Sequence, residues 1–246
     1  MDAGSAVTVI ACAIISRHGA RFPLKPIIPS DSDEKIDGNL TPKGIRELQQ
    51  LGSKISHRYG HLLHPDSEIK AKSSPFPRCV ESMQILLDSF NRSDVEIVID
   101  DKMLNYMSGG ETNEMVARSV EKSCEKFREQ NNHLIKKVEE LRGVLFELPI
   151  DVLLFGDAII GSRHEGKKMP DWLDEEIEQK FVQMYSDTLE GFTIEGMENG
   201  AENSLYYRTA KPLLKDLENE FRNLEQNKRH FLAYNTHDSN INALLK

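Results

Sequence analysis

The chain has 246 residues, of which 39% are hydrophobic and 29% are charged, and its formal net charge at pH 7 is −9. This length and composition are typical of one globular domain with room for a sizeable insertion. The excess of negative charge argues against non-specific binding to nucleic acid or to an anionic membrane surface as the main role. No apolar run is long enough to predict a transmembrane helix.

The first predicted element is a buried strand from Ala6 to Ile15, and the sequence RHGARFP (residues 17–23) follows it. Two guanidinium groups beside an imidazole need an anionic partner. A phosphate dianion is suited to this role, because each planar guanidinium can donate two hydrogen bonds to its oxygens. Gly19 is expected to let the backbone turn sharply and approach a ligand closely. Taken alone, the segment is also compatible with an exposed loop that carries two solvated arginines.

A proline-containing acidic loop follows, and then a helix that Thr41 caps and Pro42 begins. Next come a short strand over residues 68–72 and the sequence SSPFPR (73–78), which leads into a helix over 78–90. Arg78 is therefore expected at a strand end and a helix N-terminus, a position suited to anions. Another strand is predicted over residues 95–99.

Residues from about 103 to 225 have a mainly helical pattern. One helix is predicted over residues 116–141, another begins at Pro170 and carries Trp172, and a third runs from Leu205 to Leu224. Four side chains of the third helix are expected to face inward: Leu213, Leu214, Leu217 and Phe221. The acidic run at residues 174–178 is interpreted as a solvated first helical turn.

A second buried strand is predicted over residues 230–235, and THDSN (236–240) follows it, leading into a further helix. Both histidine motifs thus follow the carboxyl end of a strand, where open α/β sheets bind ligands. The three cysteines fit no zinc pattern, and a Cys79–Cys124 bridge is left open. His57, His61 and His64 lack the carboxylates that a metal site would add.

These motifs resemble the histidine acid phosphatase family, in its prostatic and lysosomal branch. The family signature R-H-G-x-R-x-P is matched in full by residues 17–23. The second family block, R-S-[ST]-x-x-x-R-x-x-x-S, is matched by Ser73, Ser74, Arg78 and Ser82, and the distal H-D pair by His237 and Asp238. The segments LTPKG (40–44) and MPDW (169–172) are similar to further family segments. Lys72 stands where relatives often carry Arg and is left outside the predicted site.

The resemblance implies a phosphoglycerate-mutase-like, or histidine phosphatase, fold of the α/β class, in which helices flank a mainly parallel sheet. We expect one domain over residues 1–246, with a core from about 1–102 and 226–246 and an inserted helical cap from about 103–225. Relatives usually continue well past the H-D pair, whereas this sequence ends at Lys246. It is therefore expected to be a C-terminally truncated member, with homodimerisation at the shortened sheet edge as one expected outcome.

The resemblance also implies a role for each motif residue. His18 is the expected nucleophile of a phosphohistidine mechanism, and Asp238 is the expected general acid. The expected phosphate-binding side chains are Arg17, Arg21, Arg78 and His237. Because free aspartate titrates near pH 4, the optimum for hydrolysis should be acidic. No metal or other cofactor is implied.

The expected substrate is a small-molecule phosphate monoester, with no nucleic acid partner. The family is largely secreted or lysosomal, although no signal peptide is visible in the sequence. Two alternatives remain open: an inositol-phosphate or sugar-phosphate phosphatase on the same fold, and a catalytically silent form that binds a phosphorylated ligand.

Overall fold

The computed structural model describes residues 9–28, 35–196, 200–225 and 228–245. The elements, in chain order, are β1 (Ala11–Arg17), α1 (Pro42–Tyr59), β2 (Glu68–Ser73), α2 (Pro77–Ser89), β3 (Ile97–Ile99), α3 (Asp101–Leu104), α4 (Gly110–Arg142), α5 (Pro149–His164), α6 (Glu175–Ile194), α7 (Leu205–Arg222), β4 (His230–Thr236) and α8 (Asp238–Leu244). Short 3₁₀ turns occur at Gly60–Leu62 and Ala201–Asn203.

The strands form one sheet in the order β1-β4-β2-β3, and every neighbouring pair is parallel. β4 lies at the centre and is buried along its whole length, which explains its largely apolar sequence. The predicted α/β fold, with a mainly parallel sheet flanked by helices, is confirmed. Because the strands are parallel, the residues that follow β1, β2 and β4 meet at one edge of the sheet.

The two faces of β4 contribute to two hydrophobic cores. Phe231 and Ala233 pack with buried side chains of α1 and α2 on one face, whereas Leu232 and Tyr234 pack with α3 and α7 on the other. On this second face Lys72 lies 2.7 Å from the Asp216 carboxylate of α7. This ion pair with Asp216 compensates the charge of Lys72 within the fold.

A third core joins α4, α5 and α6, where Phe181 contacts Phe127 and Phe155 with ring centroids 5.0 and 4.8 Å away. α5 is buried on most sides between these helices, which explains its apolar sequence. None of the helices in the described ranges has the length and apolar content needed to cross a bilayer. The division into a sheet core and a helical cap stays a prediction.

Several predicted details differ from the structure. β1 continues to Arg17, and residues 6–8 of the predicted strand lie outside the described residues. α6 begins at Glu175, not at Pro170, because the side chain of Asp174 accepts a hydrogen bond from the Ile177 N–H and caps the helix there. Trp172 lies before the helix and packs against the α4–α6 core.

The inward face of α7 is also narrower than predicted. Leu213 is fully buried, whereas Leu214 and Phe221 are 50% and 42% exposed. With 3.6 residues per turn, both exposed positions lie roughly a quarter turn around the helix from Leu213. They therefore fall outside the stripe that contacts the sheet.

The start of α1 holds the RHGARFP segment in place. The Thr41 N–H donates to the Ala20 carbonyl at 2.9 Å, and the Thr41 hydroxyl caps α1 by accepting from the Gly44 N–H at 2.9 Å. Gly44 packs directly on Ala20, since a Cβ at position 44 would lie 2.2 Å from the Ala20 carbonyl oxygen. The LTPKG segment therefore places the histidine motif through backbone contacts.

We predict that Gly44→Ala destabilises the protein by about 1–3 kcal/mol, the usual cost of overpacking, because the clash is with backbone. Gly60→Ala is the matched control: a Cβ there meets nothing within 4 Å, and the residue has φ −55° and ψ −30°. Chemical denaturation of both variants measures the difference. Equal unfolding midpoints for the two variants would contradict the proposed contact.

Candidate active site

The strand register brings the two histidine motifs side by side. The His18 N–H donates to the Thr236 carbonyl at 3.1 Å, and the Ser74 N–H donates to the Asn235 carbonyl at 3.0 Å from the other side of β4. The rings of His18 and His237 meet edge to face, with centroids 5.6 Å apart. Residues distant in sequence therefore share one site at the carboxyl edge of the sheet.

His18 is 5% exposed and has a defined tautomer. Its Nδ1 lies 2.9 Å from the Gly19 carbonyl oxygen. Because that oxygen can only accept, Nδ1 carries the proton and Nε2 keeps its lone pair. Burial, followed by the positive charge of Arg17, lowers the pKa of His18 to about 2. The imidazole is therefore neutral at both neutral and mildly acidic pH.

His237 is buried against aromatic rings and a hydroxyl group. Its Nε2 lies 2.9 Å from Ser74 Oγ, and its ring meets those of Phe76 and Tyr106 edgewise, with centroids 5.0 and 5.5 Å away. Burial, followed by the charge of Arg78, lowers the pKa of His237 to about 4. Both histidines thus act as neutral groups among positive charges.

Three arginines surround the histidines. Arg17 ends β1, Arg78 is the second residue of α2, and Arg21 lies in the loop that pairs with Leu40. Burial, followed by repulsion from Arg21, lowers the pKa of Arg78. Within the described part of the chain, the Nε atoms of Arg21 and Arg78 are buried without a hydrogen-bond partner. Converging cations with unused donors are suited to bind an anion.

Arg21 has a carboxylate partner that the sequence analysis missed. Its Nη2 lies 3.0 Å from Asp157 Oδ1 of α5, and the two side chains are only 12% and 10% exposed. Arg21 Nη1 also donates to the Phe22 carbonyl at 3.1 Å. Asp157 is the one charged residue in the stretch VLLFGDAIIGS (152–162). A lone charge in such an apolar stretch signals a buried ionic partner.

Asp238 begins α8 and faces Arg17. Its Oδ2 lies 3.4 Å from Arg17 Nε and accepts from the Tyr185 hydroxyl at 3.4 Å, while Oδ1 accepts from the Ser239 N–H at 3.0 Å. Burial, followed by the charge of Asp238, raises the pKa of Tyr185, which therefore stays a protonated donor. Tyr185 comes from α6, and no sequence motif indicated it.

Ser82 explains the spacing of the second motif. Its hydroxyl donates to the Arg78 carbonyl at 2.6 Å and accepts from the Gly19 N–H at 3.0 Å, so it joins α2 to the first motif. The turn expected at Gly19 requires no positive φ. Packing favours glycine there, since a Cβ would lie 2.7 Å from Leu48 Cδ1 and 3.2 Å from the Gly44 carbonyl oxygen.

The other candidate groups have structural explanations. Cys79 and Cys124 are free thiols, so they form no bridge, and burial raises the pKa of Cys79 to about 11, which keeps it protonated. His61 Nε2 lies 3.0 Å from the Val9 carbonyl, and His64 pairs with Asp66. In the described segments no group of three His, Cys, Asp or Glu side chains could hold a metal ion. The expected independence from metals and cofactors stays a prediction.

The two buried histidines predict a loss of stability in acid. Above about pH 6.5, the ordinary pKa of histidine, they are neutral in both the folded and the unfolded state. As the pH falls below 6.5, the unfolded chain binds protons that the folded protein accepts only near pH 4 at His237 and near pH 2 at His18. Each group should therefore remove up to about 1.4 kcal/mol of stability per pH unit within its window.

We predict that His18→Gln flattens the fall in unfolding free energy between about pH 6.5 and 4, because it removes one of these protonation sites. Exposed His133 on α4 provides the matched control, His133→Gln. Urea denaturation in a buffer free of phosphate and sulfate gives the slopes. A parallel slope for the His18 variant and the unsubstituted protein would show that His18 is not a buried neutral group.

Comparisons with known proteins agree with this fold. The model of the histidine phosphatase superfamily (branch 2) matches residues 29–143, a range that includes Arg78. Human testicular acid phosphatase is 31% identical over 87 residues, which cover 31% of this chain and 20% of that protein. The match thus spans one fifth of the length of this curated relative.

Solved structures are similar over nearly the whole chain. The phytase of Klebsiella sp. ASR1 superposes with a TM-score of 0.63 at 15% identity, covering 94% of this chain and 69% of that one. The Citrobacter braakii phytase gives 0.64 at 15%, covering 97% and 74%. The multiple inositol polyphosphate phosphatase of Bifidobacterium longum gives 0.60 at 11%, covering 99% and 75%.

At these identities the solved structures establish the fold alone. The family model and the curated relative add sequence similarity. Over residues 29–143 this chain is therefore similar in sequence to the histidine phosphatase superfamily, branch 2.

Proposed function

We propose that the protein hydrolyses phosphate monoesters at acidic pH through a phosphohistidine intermediate on His18. The observation that carries the proposal is the state of His18 itself: a buried neutral imidazole with a lone pair on Nε2, surrounded by arginines. A neutral imidazole nitrogen is a competent nucleophile towards phosphorus. The similarity to testicular acid phosphatase supports the same reaction class.

In this proposal the phosphate is bound by four side chains: Arg17, Arg21, Arg78 and His237. Phosphoryl transfer depends mainly on positioning and on neutralising the nonbridging oxygens, both of which converging arginines supply. At His237, Nε2 lies 2.9 Å from Ser74 Oγ; in our proposal the Ser74 hydroxyl donates to Nε2, so that Nδ1 carries the ring proton and is a further donor to the phosphate. Asp157 acts as a positioning residue that fixes the guanidinium of Arg21.

In the first step, His18 Nε2 forms a bond to phosphorus, the ester P–O bond breaks, and Asp238 gives its proton to the leaving oxygen. In the second step, water attacks phosphorus, the Nε2–P bond breaks, and the proton from water returns to Asp238. The net products are an alcohol and inorganic phosphate. Tyr185 supports Asp238 by donating to Oδ2. Catalysis by an aspartic acid suits an acidic setting, so a secreted or lysosomal location stays our expectation.

We predict that His18→Ala abolishes hydrolysis of p-nitrophenyl phosphate at about pH 5, since the nucleophile is lost. His133→Ala, at an exposed histidine of α4, should retain the activity. Circular dichroism checks that both variants are folded. Rapid denaturation at alkaline pH during turnover, followed by ³¹P NMR, should detect phosphohistidine in the unsubstituted protein and in His133→Ala but not in His18→Ala. Turnover by His18→Ala at the unsubstituted rate would rule out this nucleophile.

We further predict that Asp238→Ala lowers kcat for glycerol phosphate by about 10²–10⁴-fold, the usual contribution of general acid catalysis. The loss for p-nitrophenyl phosphate should be much smaller, because p-nitrophenolate leaves without a proton. Steady-state kinetics on both esters give the two ratios. Equal losses would assign Asp238 to binding or folding and not to proton transfer.

A further inference from the structure

We infer that Tyr106 is a further phosphate-binding residue, and that its hydroxyl group donates a hydrogen bond to an oxygen of the bound phosphate. Tyr106 lies in the loop between α3 and α4 and belongs to none of the sequence motifs that indicated the other site residues. The inference rests on the phosphate site proposed above and adds a fifth side chain to the four named there.

The loop that carries Tyr106 is tied to the strand ends that form the site. The Asp100 N–H donates to the Ser73 carbonyl at 2.9 Å, so α3 starts directly at the end of β2. The Thr236 hydroxyl, at the end of β4, donates to the Leu104 carbonyl at 2.8 Å in a buried hydrogen bond. The strand ends that bring the two histidines together therefore also fix the chain just before Tyr106.

A turn built on Asn105 fixes the backbone at Tyr106 itself. Asn105 Oδ1 accepts from the Met107 N–H at 3.0 Å, and the Asn105 carbonyl accepts from the Ser108 N–H at 2.9 Å. Asparagine favours such turns because its side chain can bind the backbone two residues further on. Asn105 Nδ2 also donates to Asp101 Oδ1 at 2.8 Å, which fastens the turn to α3.

The ring of Tyr106 lies between His237 and the core of the helical region. It meets the ring of His237 edge to face, with centroids 5.5 Å apart. On α6, the ring of Phe192 stacks on Tyr106 with centroids 6.3 Å apart and an interplanar angle of 24°. The Tyr106 side chain is half-buried. These contacts hold the ring against one of the proposed phosphate ligands.

The hydroxyl group of Tyr106 lies among the charges of the site. Burial, followed by the charge of Asp238 and, more weakly, that of Asp157, raises the pKa of Tyr106, whereas Arg78 and Arg21 lower it. The hydroxyl therefore stays protonated and can donate a hydrogen bond. The groups whose charges act on it are those that surround the proposed position of the phosphate.

This hydroxyl is an unused donor. Tyr185 and Tyr234 donate to Asp238 and Asp216, whereas the part of the chain that the structure describes supplies the Tyr106 hydroxyl with no hydrogen-bond partner. The Nε atoms of the two arginines that act on Tyr106 are likewise buried without a partner among the described residues. Phosphate is suited to such a group of donors, because it offers several acceptor oxygens and negative charge.

The test measures binding of inorganic phosphate to Tyr106→Phe by isothermal titration calorimetry. This variant keeps the ring and its contacts with His237 and Phe192, so it isolates the hydroxyl group. We expect Kd to rise by about tenfold, equivalent to about 1.4 kcal/mol, as for the loss of a hydrogen bond to a charged group. KM for p-nitrophenyl phosphate should rise by a similar factor with kcat nearly unchanged, because the hydroxyl binds the phosphate before and during the reaction.

Tyr207→Phe is the matched control, since the Tyr207 hydroxyl contacts Lys211 of the same helix, α7, and this variant should leave Kd unchanged. Tyr106→Leu removes the ring as well and should weaken binding further. Unchanged phosphate binding by Tyr106→Phe, together with weaker binding by Tyr106→Leu, would assign Tyr106 a packing role and overturn the inference. Equal rises in Kd for Tyr106→Phe and Tyr207→Phe would also overturn it.

The calorimetric measurement requires no turnover, so it separates this inference from the proposed function. A folded protein that binds phosphate but does not hydrolyse p-nitrophenyl phosphate would overturn the proposed function. The difference in Kd between the unsubstituted protein and Tyr106→Phe would still decide whether Tyr106 binds the phosphate.

Discussion

Parallel pairing of β4 with β1 on one side and β2 on the other is the constraint on which the site depends. The register sets Arg17 opposite Thr236 and Ser73 opposite Asn235, so the chain leaves all three strands at the same level. The two histidines can meet only because of this alignment. A shift of one residue in either pairing would turn the side chains at the strand end to the opposite face.

The three arginines at this edge of the sheet differ in how closely a carboxylate compensates their charge. Arg17 faces Asp238, Arg21 is bound by Asp157, and Arg78 stacks on Phe76 with its guanidinium carbon 4.5 Å from the ring centre. The described residues supply Arg78 with no carboxylate partner. With both histidines neutral, the site has about one uncompensated positive charge before an anion binds. That balance suits a single phosphate group and keeps the nucleophile unprotonated.

The sequence was sufficient to predict the fold class. It also singled out six motif residues that the structure brings together, because strand ends and short motifs are local features; the roles of these residues stay a prediction. Residues on the surrounding helices were not predictable in the same way. Hydrophobic periodicity shows which face of a helix is apolar, but not which neighbouring element that face contacts. The sequence therefore could not predict the contact of Tyr185 with Asp238 or the contact of Glu47 with His164. Asp157 did have a signal, as a lone charge in an apolar stretch. At α6, two helix-start signals competed, and the Asp174 cap prevailed over Pro170.

The place of β4 in the chain has a consequence for folding. Ala11 pairs with His230, so the central strand joins the sheet across most of the sequence. Closing such a long loop costs entropy before any pairing energy is recovered, although the cost grows only logarithmically with length. High contact order slows folding. On the ribosome, the nucleophile would emerge long before the strand that completes its surroundings, and during that interval β1 and β2 would have no common partner.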